Sequence, residues 1–131
     1  MTIYALSTGP GLAGIAIIRI SGPEAASVIK SLTGKEIPSP RIATLRKINY
    51  INTSELIDEG IILWFPAPHS YTGEDMAEIH VHGGKTVIEA LQKTISQVKN
   101  CRLAEAGEFT RLAFLNGKIN LLKAESVADL I

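Results

Sequence analysis

The sequence predicts an α+β fold in which one mostly antiparallel sheet packs with helices. Three observations carry this. Five short segments are rich in β-branched residues or alternate in polarity, the apolar period switches to a helical one at Lys85, and the elements then read ββαβββα followed by helices. Runs of neighbouring strands favour hairpin-type pairing in a single sheet.

Taken in order, Ile3 to Ser7 and Ile15 to Ile20 read as strands separated by the turn-forming Gly9-Pro10-Gly11. Pro23 then opens a helix over Glu24 to Leu32, with Ala25, Val28, Ile29 and Leu32 on one face and Gly34 at its end. Ala43 to Ile51 alternates as a half-buried strand does, and Leu56 to Phe65 is another strand, stopped by Pro66-Ala67-Pro68. A polar loop, His69 to Asp75, precedes a strand at Met76 to Val81. Ile88, Leu91, Ile95 and Val98 lie at helical spacing, so Lys85 to Lys99 is expected to be an amphipathic helix. A second helical stretch covers Gly107 to Leu115, and a third begins near Leu121. Its apolar stripe runs to Ile131 with no capping residue after it, which is the pattern of a fragment of a longer protein.

Composition bounds the function. The 131 residues suit one domain, and 46% hydrophobic with 20% charged residues is a folding composition. Lys and Arg together number 13, as do Asp and Glu, so no global field holds a polyanion, although a local basic patch could. Cys101 is the only cysteine, which rules out an intrachain disulfide and a thiolate metal cluster. The N-terminal MTIYALSTGPG lacks the basic segment and apolar core of a signal peptide, and the longest apolar run, Gly14 to Ile18, is too short to span a bilayer. A soluble, cytoplasmic domain is the expectation.

Two phosphate-binding patterns fail on their mechanics. Gly9-Pro10-Gly11-Leu12-Ala13-Gly14 fits G-x-G-x-x-G, but a strand follows where the motif requires a helix N-terminus. Gly83-Gly84-Lys85-Thr86 imitates the end of a P-loop, but the glycine required five positions before Gly84 is Ile79. The Gly83-Gly84 pair could still present amides to an anion where the helix opens.

Arg19 stands out inside an aliphatic strand, where a guanidinium must be paired, bind an anion, or lie on a solvated face. Alternation sets it opposite Ile18 and Ile20. By the same period, Glu78, His80 and His82 share one strand face, and Ala77, Ile79 and Val81 take the other. An E-x-H-x-H face could chelate a transition metal, but no further ligand is evident, and a polar face that collects a charged ligand is the stronger reading. Tyr71, Thr72, Glu74 and Asp75 sit on the Pro-bounded loop, either as a functional loop or as a solvated one whose Thr72 or Asp75 caps a turn. Lys118 follows Gly117 in a turn and by itself reads as a surface lysine.

Three collinear blocks resemble a known family. FPAPHSYTGEDMAEIHVHGG (Phe65 to Gly84), GIAIIRISGP from Gly14, and AEAGEFTRLAFLNGKINLLKAESVADLI at the C-terminal end are similar to the N-terminal domain of the MnmE/TrmE family of tRNA modification GTPases. The resemblance implies a tetrahydrofolate-binding and dimerisation domain over 1–118, similar in fold to the folate-binding domain of aminomethyltransferases, with the start of a truncated helical domain at 119–131. It further implies a parent protein whose GTPase domain uses GTP, magnesium and potassium. With a flavin-containing partner protein, that parent builds an aminomethyl-type group on the wobble uridine of tRNA. The folate, a 5-formyl-type tetrahydrofolate derivative, would be the one-carbon source.

Carried over position by position, the folate-binding residues are Arg19, Glu78 and Lys118, and no catalytic residue or metal ligand is implied. A pterin presents a ring N–H and an exocyclic amine along one edge, which a carboxylate can accept, so Glu78 is expected to read that edge. Arg19 and Lys118 would meet the ligand's carbonyl or carboxylate oxygens. The chain departs from the family at Leu12-Ala13, where a basic residue is lost from the turn, and at His69, Ala106 and Gly117; none touches the three binding positions. Two rivals remain: a metal-dependent hydrolase using Glu78, His80 and His82, and a dimerisation scaffold without ligand.

Overall fold

The structure, a computed structural model, describes residues 1–7 and 14–119. Its elements are β1 (Thr2–Leu6), β2 (Ile15–Ser21), α1 (Ala25–Thr33), β3 (Thr44–Asn49), β4 (Leu56–Phe65), β5 (Met76–His82), α2 (Lys85–Ser96), β6 (Cys101–Leu103) and α3 (Glu108–Leu115). The six strands form one sheet in the order β3-β4-β5-β2-β1-β6. Every pairing is antiparallel except that of β1 with β6. This is the expected α+β architecture.

Strand alternation divides the sheet into two faces. Tyr4, Ala16, Ile18, Ile20, Ile62, Trp64, Ala77, Ile79 and Val81 point one way and are buried with Ala25, Val28, Ile29 and Leu32 of α1 and Leu91 and Ile95 of α2. The apolar stripes read from the sequence are therefore the stripes that bury. On the opposite face a smaller cluster of Ile3, Met76 and Phe109 packs α3 over one end only, with Ala5, Phe65, Tyr71 and Leu112 at its margin. That leaves the middle of the second face for polar side chains.

Gly60 keeps the β4–β5 seam closed. A Cβ there would collide with the carbonyl oxygen of His80, so only glycine lets the two strands approach at this point.

Most element ends shift by one or two residues, and the larger departures are the end of α2 and the strand that follows it. The helix expected to reach Lys99 ends at Ser96, where the amides of Gln97 and Val98 bond the carbonyls of Thr94 and Ile95 and turn the chain out of α-geometry. Val98 still packs against the core, which is why its spacing mimicked a further helical turn. The turn leads into β6, a strand absent from the sequence reading. Cys-Arg-Leu is too short to display an alternation, and its place comes from parallel pairing with Thr2, Ile3 and Tyr4. The expected turn at Gly9-Pro10-Gly11, the helix near Leu121 and the domain boundary's C-terminal side lie outside the described residues. Among the described residues no helix is long and apolar enough to cross a membrane.

Candidate functional site

β2 and β5 are neighbours, and their register sets Arg19 directly opposite Glu78. Both belong to the face away from α1 and α2. The guanidinium donates from Nη2 and Nε to Glu78 Oε2, at 3.0 and 3.3 Å. The other carboxylate oxygen is also engaged: His80 Nε2 lies 3.0 Å from Oε1. The three side chains are only 26%, 18% and 24% exposed for Arg19, Glu78 and His80, so the pairing operates where solvent screens it weakly. Arg19 thus resolves the question its sequence position raised. It is paired, and with the residue named beside it as a folate-binding candidate.

A loop covers one side of this pair. The Arg19 guanidinium carbon lies 5.9 Å from the centre of the Tyr71 ring, within cation–π range. Tyr71 is held from behind by α3, its hydroxyl 3.1 Å from Thr110 Oγ1. The loop is fixed internally as well. Ser21 donates to Glu74 Oε1 and meets the buried Thr72 hydroxyl, both at 2.8 Å, while Asp75 Oδ1 accepts from the amide of Ala67 at 2.8 Å. Thr72 Oγ1 also accepts from the Glu74 amide at 3.2 Å, the turn cap that one reading of this loop required, although Thr72 is buried and not solvated, and Asp75 instead ties the loop back to Ala67.

Lys118 approaches the same loop from the turn after α3. Asn116 Nδ2 donates to the Thr72 carbonyl at 2.7 Å, and the Lys118 amide donates to the Ala113 carbonyl at 2.8 Å. Gly73, at φ 85°, faces this turn; a Cβ there would stand 3.1 Å from Asn116 Cβ and 3.4 Å from Lys118 Cε. The left-handed backbone and the tight approach both call for glycine. The structure therefore brings Arg19 and Glu78 into contact and ties exposed Lys118 to the loop that stacks on Arg19.

His82 departs from the other two members of its strand face. Its ring and its backbone amide both engage Asp58 of β4, at 2.9 to 3.0 Å, and its side chain is 78% exposed. Burial pushes the Asp58 carboxyl up, but the bonds from His82 outweigh it and hold the group below the usual carboxylate range. Glu78 and His80 are thus bonded to each other, with Arg19 on the far oxygen of Glu78, while His82 is committed to Asp58. Among the described residues no cluster of three or more His, Cys, Asp or Glu side chains is arranged to hold a metal ion.

Beyond His80 lies an open, mainly apolar cleft of about 330 Å³, lined by Ile15, Leu45, Ile61, Leu63, His80 and others. Ile15 and Leu45 are each 58% exposed. The sequence reading did not single out this cleft, Thr110 or Asn116. The alternating pattern held the signal for the cleft, since Ile15, Leu45, Ile61 and Leu63 fall on the polar face by parity.

The model for the family described as GTP-binding protein TrmE N-terminus matches residues 2–118. Over its whole length the chain is 73% identical to a tRNA modification GTPase MnmE of Pelagibacter ubique, covering 30% of that protein. It is 48% identical over 130 residues to the mitochondrial 5-taurinomethyluridine-[tRNA] synthase subunit GTPB3 of Danio rerio, and covers 26% of it. A MnmE of Brucella canis is 52% identical, with 29% covered. The chain therefore spans less than a third of the length of these relatives. With that match running across the sheet, the paired face and the Lys118 turn, the chain belongs to the TrmE N-terminal family.

Proposed function

We propose that this domain binds a tetrahydrofolate derivative of the 5-formyl type on the face built by Arg19, Glu78 and Lys118, and that it dimerises. It would serve a larger tRNA modification GTPase in the cytoplasm. The observation that carries the reading is the Arg19–Glu78 pair, a charged couple set by strand register on the sheet face that helices leave open. The residues suit the ligand. Glu78 offers a carboxylate to the donor edge of a pterin, while Arg19 and Lys118 offer cations to its carbonyl and carboxylate oxygens.

In this reading the folate supplies a one-carbon unit, and the domain's own residues bind and orient it. GTP and its magnesium and potassium belong to the remainder of the parent protein, since Ile79 stands where a P-loop needs glycine, and tRNA and the flavin-containing partner are met by the full-length protein. The exposed apolar positions Ile15 and Leu45, with Ile61 and Leu63 between them, are the surface offered to a second copy.

Calorimetric titration with 5-formyltetrahydrofolate tests the proposal, using the parent chain beside Glu78→Ala. Saturable binding that weakens about 100-fold in the variant is expected, as for loss of a charge-assisted hydrogen-bonded pair. A folded dimer by sedimentation that takes up no folate would leave a scaffold without ligand. Stoichiometric metal by elemental analysis would favour the hydrolase alternative.

A further inference from the structure

We propose that His80 is a positioning residue for Glu78, fixing the plane of its carboxylate so that the open acceptor site on Oε1 keeps one direction. This rests on the folate reading of the face. Oε2 of Glu78 accepts both Arg19 Nη2 and Arg19 Nε, at 3.0 and 3.3 Å, which occupies both of its lone pairs. Oε1 accepts from His80 Nε2 at 3.0 Å and keeps one lone pair open. The open acceptor direction is therefore on Oε1, beside the imidazole.

The terminal torsion of a glutamate is soft and roughly two-fold, so the carboxylate plane is fixed only by its partners. An arginine facing a free carboxylate prefers the two-pronged arrangement, one N–H to each oxygen. Without His80, Arg19 can bond one lone pair of each oxygen, which turns the carboxylate plane and redirects the acceptor sites left for a ligand. The strand period makes His80 the natural guard. It lies two residues from Glu78 on the same face, between Ile17 and Ile61 of the flanking strands, with its ring three-quarters covered. Donation to the carboxylate requires hydrogen on His80 Nε2.

The experiment compares 5-formyltetrahydrofolate affinity of the parent chain, His80→Leu and His80→Gln, with circular dichroism and thermal midpoints to establish that each is folded. His80→Leu should bind about tenfold more weakly, the scale of one hydrogen bond to a charged group. His80→Gln, whose amide can donate to Oε1, should return to within about threefold of the parent. Unchanged affinity in His80→Leu overturns the proposal and leaves the folate reading standing. Equal losses in both variants also overturn it, assigning His80 to packing alone. No binding by the parent chain overturns the folate reading and this inference with it. Should His80→Leu not fold, long-range ¹⁵N spectra of the parent decide the geometry: a protonated Nε2 on His80 supports the assignment, and an Nδ1–H tautomer overturns it.

Discussion

The sheet face beneath α1 and α2 is apolar from Tyr4 and Ile18 to Ile62 and Val81, whereas the opposite face carries Arg19, Glu78 and His80 across its centre. Both faces come from the same strands with the same period. One holds the fold together, and its residues are interchangeable within limits of volume. The other keeps a charged cluster on rigid strands, stacks a loop on it, and exposes Ile15 and Leu45 at its far end. The difference separates what makes this chain fold from what makes it specific.

Substitutions sharpen that contrast. Ile79 is fully buried on the helix-covered face, and Ile79→Ala should lower unfolding free energy by about 3 kcal/mol, through lost transfer energy plus a cavity. Ile17, half-buried on the open face opposite His80, should cost only about 1 kcal/mol as alanine. Urea denaturation of the two variants checks this; equal losses would mean the open face is as tightly packed as the covered one.

A smaller effect concerns the strap beside α3. Arg102 makes two bonds to Glu108, and these hold the Glu108 carboxyl below its ordinary range against the opposing effect of burial. A carboxylate depressed in the folded state stabilises fully above its unfolded pKa, and that stability is lost as pH falls through the folded value. Glu108→Gln should therefore flatten the acid side of the stability profile while costing about 1 kcal/mol at neutral pH, since exposed Arg102 limits the pair's worth. Thermal midpoints measured from neutral pH down to acid report it; an unchanged acid slope would remove Glu108 from the account.

Much of this was legible in the sequence because it is periodic. The alternation at Met76 to Val81 and the helical spacing of Ala25, Val28, Ile29 and Leu32 are properties of single segments, and the structure buries Ala77, Ile79 and Val81 together with those helix residues. Arg19 and Glu78 were expected to share a ligand, but their direct contact was not legible, because strand register lies in the pairing and not in either strand. β6 and the end of α2 escaped for a related reason. Three residues show no period, and Val98 keeps helical spacing while packing from a turn. Thr110 and Asn116 act through a loop distant in sequence, bonding Tyr71 and Thr72, and nothing in their own segment says so.

The most direct test of the account is methyl NMR of the chain titrated with 5-formyltetrahydrofolate. Ala5 and Leu63 flank Arg19 and Glu78 in the register, and Ile17 lies opposite His80. Shifts are expected to concentrate at these three residues, with Ile18, Ile20 and Ile79 on the helix-covered face little changed. Saturable shifts centred on Ile18, Ile20 and Ile79, or none anywhere, would contradict it.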